Sequence, residues 1–280
     1  MYTEIKHTLR RMRGSIIGWG IGLFLYGIMM ALFFSSMESI GGLVDIFENY
    51  PQEMLAFFPS IYEIMTPQGY MDTYYFAYMT LIIGIFAVSA GGNLLVSDEE
   101  RGIMDLLLAY PVSRSSFFWG RFIGFCLACA AILIISWLGW VIPSGTSALG
   151  LGAIELLRPF LPLFVILMLF GITALLFSML LPSARAAAGL AGALLVLNFL
   201  LVGLANINQD LQAFYELTPL YFYQGGSAIE GVNWVNLSGL SAVSLLLAGL
   251  AWWLFERREI RVGGEGGWKL PKLGRVGRGG

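Results

Sequence analysis

SDEERGIMDLLLAYPVSRSSFFWGRF, residues Ser97 to Phe122, is the one charged and strongly patterned stretch inside an otherwise apolar sequence. On each side of it lies an apolar run that is long enough to cross a bilayer. A stretch in that position must lie on one side of a membrane and face the aqueous phase. The rest of the chain is therefore interpreted outward from it.

The composition indicates an integral membrane protein. Of the 280 residues, 58% are hydrophobic and 12% are charged, whereas about a quarter of the residues of a soluble domain are charged. Two cysteines do not make a disulfide framework, and a single histidine, His7, cannot assemble a histidine-based metal site. We expect an all-α protein that crosses the membrane several times and holds no metal.

Six apolar stretches are predicted to span the membrane, since a helix needs about 20 apolar residues to cross the hydrocarbon core. They cover residues 15–34, 73–96, 117–142, 159–181, 186–205 and 240–255. Together they predict one transmembrane domain over residues 1–262, followed by a basic, Gly-rich tail at 263–280. At the start of the first span, a four-residue glycine spacing allows close approach to another helix; these glycines are Gly14, Gly18 and Gly22.

The basic residues are distributed asymmetrically about these spans. Fifteen of the 16 Lys and Arg residues fall on one side of the predicted membrane, and only Arg158 falls on the other. The positive-inside rule then predicts that both termini and the Ser97–Phe122 stretch are cytoplasmic. The connectors at 36–72 and 206–237 fall on the outer side, and the aromatic residues of the second predict short helices near the membrane interface.

Residues Met1 to Arg13 predict an amphipathic N-terminal helix. Ile5 and Leu9 recur at helical spacing, while Arg10 and Arg13 contribute to a basic side. Such a helix suits a membrane surface that contains anionic lipid. A simple positive flank of the first span is the compatible alternative.

The Ser97–Phe122 stretch predicts a cytoplasmic helix of about three turns. Ser97 followed by Glu100 has the spacing of a capping box, and Pro111 ends the helix. An apolar ridge lies between them at helical spacing; it consists of Ile103, Leu106, Leu107 and Tyr110. An acidic helix start matches an anionic leaflet poorly, so a groove in another protein is favoured over a lipid surface as its partner.

Several kinds of chemistry are not expected in this chain. It has no GxxxxGK[ST] phosphate loop, so we do not expect it to bind ATP in that way or to be an enzyme, and no catalytic residue is assigned. Charged residues are nearly missing from the span interiors, which argues against ion-coupled transport and intramembrane catalysis. Asn198 either contacts a substrate or hydrogen-bonds between helices, and the second interpretation is favoured.

The charged stretch resembles the signature of ABC-2 type permeases, the membrane subunits of ATP-binding-cassette exporters. The resemblance rests on Glu100-Arg101-Gly102-Ile103, Asp105-Leu106-Leu107-Leu108, Pro111-Val112-Ser113-Arg114 and Gly120-Arg121, and on the layout of six spans with cytoplasmic termini. The long connector at 36–72 departs from the family pattern, so no role is carried over to it.

The resemblance implies a permease subunit of an exporter in the inner membrane of a bacterium, with a hydrophobic or amphipathic substrate such as a drug, lipid or peptide. The implied partners are a separate ATPase chain, which binds ATP and Mg, and a second copy of the permease or a homologous one. The substrate path is expected between the two permeases, along spans one, two and five, and the candidate polar contacts are Asn198 and Thr173.

Two segments are implied to couple this permease to its ATPase. The Ser97–Tyr110 segment resembles the coupling helix, whose contact residues would be Glu99, Glu100, Arg101, Gly102, Ile103, Asp105, Leu106, Leu107, Tyr110, Pro111 and Arg114. The N-terminal segment resembles the connecting helix beside it, represented by Ile5, Leu9, Arg10 and Arg13. A secondary carrier or channel that is not driven by ATP is the alternative, and it predicts buried ionisable residues or an internal repeat.

Overall fold

The computed structural model describes residues 1–38, 55, 63–102 and 113–257. Predictions for the 263–280 tail and for most of the 36–72 connector lie outside these residues. So do those for the apolar ridge and its neighbours, namely Ile103, Asp105, Leu106, Leu107, Tyr110 and Pro111. The regular structure of the described residues is helical, with no strand among them. Among the described residues, six helices are long and apolar enough to cross a membrane, which confirms the all-α class and the predicted number of spans.

Six long helices form a bundle, and they are labelled α1 to α6 in chain order. They are α1 (Tyr2–Glu38), α2 (Ala77–Gly92), α3 (Arg114–Ser144), α4 (Phe160–Leu180), α5 (Ala184–Ile207) and α6 (Trp234–Arg257). Helix α4 lies at the centre and packs against α2, α5 and α6, while α1 packs along α3. Most of the side chains of α4 are buried.

The predicted second span is displaced along the sequence. A helical turn at Pro67–Met71 and a π-helical turn at Asp72–Phe76 lead directly into α2, so the apolar helix runs from Pro67 to Gly92 rather than from 73 to 96. Thr66 caps its start by accepting a hydrogen bond from the backbone N of Gly69 at 3.1 Å, and proline occupies the first helical position.

Helix α1 is one continuous helix of 37 residues. The predicted amphipathic segment Met1–Arg13 therefore continues into the first span and does not form a separate surface helix. Gly14 at the junction does not break the helix, since one glycine in a helix interior costs only about 1 kcal/mol. The predicted sidedness is present, because Ile5 and Leu9 are half-buried while Arg10 is exposed.

Glycines bring the backbones of α1 and α3 together, but not the glycines whose four-residue spacing allows it. A Cβ atom on Gly139 would collide with the carbonyl oxygen of Phe24, and one on Gly27 would lie 3.1 Å from the backbone of Gly139. The series with that spacing has open space at the Cβ position; it consists of Gly14, Gly18 and Gly22. These three glycines make no close helix contact within the described part of the chain, because α1 turns another face, which contains Gly27, toward α3.

The bundle has two distinct ends. The first, called the charged end, is where Glu4, Asp98, Arg121, Ala184 and Glu256 lie, so both Met1 and Arg257 belong to it. The other, called the opposite end, is where the 208–233 segment packs against the start of the second span. That segment forms the short helical turns that were predicted, at Gln209–Leu211, Gln212–Tyr215, Pro219–Phe222 and Gly225–Ile229.

Candidate functional site at the charged end

The segment that follows α2 begins with a short helix, Val96–Glu100. Ser97 lies inside this helix and donates a hydrogen bond to the carbonyl oxygen of Asn93 at 2.7 Å, so it is not the predicted helix cap. Gly102 has a φ angle of +68° and its N–H donates to the carbonyl oxygen of Glu99 at 2.9 Å, which ends the helix. The prediction of one uninterrupted helix from Ser97 to Tyr110 is therefore wrong at its N-terminal part. Gly102 interrupts the helix because a glycine adopts this left-handed conformation at low cost.

Asp98 connects this short helix to two long ones. Its carboxylate pairs with Arg11 of α1, at 3.2 Å between Nη1 and Oδ1, and with Arg121 of α3. Arg121 also pairs with Glu4 of α1, at 3.3 Å between Nε and Oε2. The four side chains, Glu4, Arg11, Asp98 and Arg121, form what we call the charged cluster.

Arg121 is the deepest member of the charged cluster, with only 1% of its side chain exposed. Its Nη1 donates to the carbonyl oxygen of Leu94 at 3.0 Å, and the guanidinium lies 4.1 Å from the ring centroid of Phe117. These contacts replace water around the charge, which is necessary because an unpaired buried charge costs several kcal/mol. The cluster therefore determines where the ends of α1, α3 and the short helix lie relative to one another.

Glu100 connects the same short helix to α5. Its Oε1 accepts a hydrogen bond from the backbone N of Ala184, the first residue of α5, at 2.8 Å. Ser183 caps the same helix start by accepting from the backbone N of Ala186 at 3.2 Å. A carboxylate is stabilised at this position because the N-terminus of a helix carries partial positive charge.

Other predicted coupling residues occupy different environments. Glu99 is buried at 4% exposure, whereas Arg101 and Gly102 are exposed. Ser113 caps α3, and Arg114 donates to the carbonyl oxygen of Glu256 in α6 at 3.2 Å. In the N-terminal segment, Arg13 is exposed like Arg10. The ATPase contacts of all these residues remain predictions.

The two polar residues predicted for the substrate path make hydrogen bonds within their own helices. Asn198 donates to the carbonyl oxygen of Leu194 at 2.8 Å, and Thr173 donates to that of Leu169 at 2.7 Å. The carbonyl four residues earlier is within reach of the short Asn198 side chain, and Asn198 Oδ1 has no partner within the described part of the chain. The favoured bond of Asn198 to another helix therefore stays a prediction. Their role along a substrate path stays a prediction.

The charged cluster itself was not predicted. A signal was present, because an arginine within an apolar helix needs a partner. The sequence did not say which acid supplies it. Within the described ranges, no group of three or more His, Cys, Asp and Glu residues is arranged to hold a metal ion.

The bundle of six apolar helices, joined at one end by buried ion pairs, defines the class of multi-pass α-helical membrane proteins. A family model described as "Multidrug efflux system permease Rv1217c, C-terminal domain" matches residues 7–256. The match extends over most of the chain, so the chain belongs to this family. A comparison with curated proteins gives no match.

Proposed function

We propose that this chain is the permease subunit of an ABC exporter of the ABC-2 type, driven by an ATPase on a separate chain. Family membership supports a role in efflux across a membrane. The ABC-2-like pattern at residues 97–122 supports coupling to an ATPase, and ATP and Mg are placed in that partner because this chain has no phosphate loop. The proposed substrate is hydrophobic or amphipathic, as suits a path lined by apolar helices.

The charged end is proposed to face the cytoplasm of a bacterial cell, with the chain in the inner membrane. It is supported by the distribution of basic residues along the sequence, from which fifteen of the 16 are predicted to lie on this side. Arg158, the exception, belongs to the opposite end, where it donates to the carbonyl oxygen of Ile229 at 2.8 Å.

The observation that carries the proposal is that one short helix contacts three of the long ones. Through Asp98 it reaches Arg11 of α1 and Arg121 of α3, and through Glu100 it reaches the first residue of α5. The predicted ATPase-binding ridge begins at Ile103, directly after this helix. A displacement of the ridge by the ATPase would therefore move α1, α3 and α5 together.

A second permease, either another copy or a homologue, is proposed to complete the translocation path. Helices α1 and α5 both expose large apolar side chains, as expected for surfaces that face lipid or a second permease. Since spans one, two and five line the path implied by the ABC-2 resemblance, these surfaces are where the second copy is placed.

Copurification tests the proposed partner. The tagged chain is isolated from its native host in mild detergent, and bound proteins are identified and assayed for ATP hydrolysis. An ATPase subunit is expected to copurify. If none does, and if no ATPase that is added back is stimulated by the permease, the coupling proposal fails; transport driven by an ion gradient without ATP would instead support a secondary carrier.

Leu106→Asp tests the ridge more directly, with Leu107→Asp as its companion. A charge on the ridge should detach the ATPase or uncouple ATP hydrolysis from transport, while membrane insertion remains normal. Leu108→Asp is the matched control, since Leu108 lies off the predicted ridge and receives the same charge. Normal coupled transport in the Leu106→Asp variant would contradict the coupling-helix assignment.

A further inference from the structure

A cleft of about 170 Å³ lies between α1 and the end of α2, next to the charged cluster. Arg11 and its ion pair with Asp98 lie at one end of the cleft. Toward the middle of the bundle, the rings of Trp19 and Phe86 bring the two helices together, with their centroids 6.4 Å apart. The cleft thus lies at the level where the predicted first span begins, close to the membrane surface.

The lining of the cleft is amphipathic. Arg11, Thr8 and Asn93 line it near the charged end, while Phe86 and Ala90 line it toward the middle of the bundle. Among the described residues that line it, Arg11 is the one that carries a charge. A ligand that matches this lining has an anionic head and an apolar continuation.

Arg11 retains the capacity to bind an anion. Its Nη1 and Nη2 contact Asp98 and Ser97, but a guanidinium has more N–H donors than these two contacts use. The side chain is also 29% exposed, unlike that of Arg121. Lys6, Arg10 and Arg13 lie on another face of the same helix, where they line a separate surface pocket.

The size of the cleft restricts what it can hold. Pockets that enclose a whole drug-sized molecule measure roughly 300–1,000 Å³, so this cleft of about 170 Å³ holds only a head group and the first carbons attached to it. The remaining chain would extend out of the cleft into lipid.

We infer that this cleft binds the phosphate or carboxylate head group of an anionic amphiphile in the cytoplasmic leaflet, with Arg11 as its charged contact. The choice of leaflet rests on the orientation given under the proposed function. A resident anionic phospholipid and an exported amphiphile share this chemistry, and either could be the ligand.

The first test compares two probes with the same alkyl chain. The full chain, without any ATPase, is reconstituted in phosphatidylcholine nanodiscs, and binding of dodecyl phosphate and of zwitterionic dodecylphosphocholine is measured. Dodecyl phosphate should bind more tightly, and Arg11→Gln should weaken it about fivefold, as expected for losing one basic contact at a membrane surface. Lys6→Gln removes the same charge from the same helix outside this cleft and should have a smaller effect.

A second pair of variants leaves the ion pairs unchanged. Ala90→Phe fills the cleft, whereas Ile85→Phe adds a similar bulk to a lipid-facing position of α2. The first should abolish selective binding of dodecyl phosphate, and the second should preserve it, in variants that elute and unfold like the parent protein. Equal binding of the two probes, or unchanged dodecyl phosphate binding in Ala90→Phe, would overturn the inference.

Adding phosphatidylglycerol to the nanodiscs distinguishes the two sources of the head group. If the lipid competes with dodecyl phosphate and is retained in native mass spectrometry by the parent but not by Ala90→Phe, the site holds a resident lipid. If it does not compete, the site is one for an exported amphiphile. Both results support an anionic head-group site.

Because no ATPase is present in these measurements, a failure to bind dodecyl phosphate would leave the proposed coupling to an ATPase untouched. Likewise, a failure of the coupling proposal would leave dodecyl phosphate binding measurable.

Discussion

The two ends of the helix bundle are held by different kinds of contact. At the charged end, Asp98 and Arg121 are almost fully buried and pair side chain to side chain. At the opposite end, side chains bond to backbone: Asp72 accepts from the N–H of Gly226, and the hydroxyl of Tyr223 donates to the carbonyl oxygen of Phe76 at 3.2 Å.

This difference determines how each end responds when a contact is lost. Breaking a buried ion pair leaves an unpaired charge away from water and costs about 3–5 kcal/mol. A hydrogen bond contributes about 1 kcal/mol when both partners are neutral, as at Tyr223, and about 1.5–3 kcal/mol when one is charged, as at Asp72. The charged end is therefore expected to move as a unit, while contacts at the opposite end can break one at a time. In the proposed exporter, the end that receives the force is the rigid one.

The largest expected effect is at Arg121. Arg121→Met leaves the buried carboxylate of Asp98 without its deepest partner, and the free energy of unfolding should fall by about 3–5 kcal/mol. Denaturant unfolding of the purified protein in detergent measures it. Adding Asp98→Asn to this variant should recover part of the loss, and Arg13→Met, at an exposed position, should change stability by less than about 0.5 kcal/mol. A stable Arg121→Met variant would remove the contrast between the two ends.

A smaller effect is expected where α1 and α3 are joined without charges. Gly139→Ala places a Cβ atom against the carbonyl oxygen of Phe24, and such overpacking costs about 1–3 kcal/mol. Gly22→Ala is the matched control, because its Cβ enters open space and alanine is the better helix former. Thermal unfolding of both variants should separate them. If Gly139→Ala is as stable as Gly22→Ala, the close backbone contact is not present.

Glu100→Gln should have a moderate effect on stability. The amide can still accept the hydrogen bond from the backbone N of Ala184, but the interaction of a negative charge with the start of α5 is lost, about 0.3–1 kcal/mol. Arg101→Gln changes the charge of the exposed neighbour without this contact and serves as the control. The two unfolding midpoints should differ, and with a partner ATPase Glu100→Gln should also reduce transport per ATP. Equal behaviour of the two variants would argue against a link to α5.

The effect expected at Tyr223 differs from the others because it depends on pH. Burial, together with the charge of Asp72, raises the pKa of the Tyr223 phenol well above its ordinary value. The stability that this group contributes is then fully present below the ordinary tyrosine pKa of about 10 and is lost as the pH rises above it. Tyr223→Phe should cost about 1 kcal/mol at neutral pH and should make the alkaline decline in unfolding temperature shallower. An identical decline in both proteins would contradict this assignment.

The sequence predicted the spans well because each depends on a local property. About 20 consecutive apolar residues cannot be stable in water as an exposed helix, whatever they contact later. The prediction failed at both ends of the helix after α2. Ser97 has the spacing of a helix cap but lies inside the short helix, and Gly102 ends this helix two residues after Glu100. The glycine spacing of α1 likewise did not reveal which face meets α3.

The candidate site was predicted only in part for a related reason. The Ser97–Phe122 stretch was identified as the important segment, but the burial of Asp98 and Glu99 within the bundle was not predicted. Of the two acids that pair with Arg121, Asp98 lies 23 positions earlier in the sequence and Glu4 lies 117 positions earlier. Nothing in the spacing of such distant residues identifies them as neighbours.

The sequence alone therefore determined the class of protein, the number of spans and the asymmetry of charge, because apolar length and charge distribution act through the solvent and not through particular partners. Only the tertiary structure decided that Arg11, Asp98, Arg121 and Glu4 form one cluster and that Glu100 reaches α5. Pairing of buried charges depends on which helix ends lie side by side, and that arrangement is a property of the packed bundle.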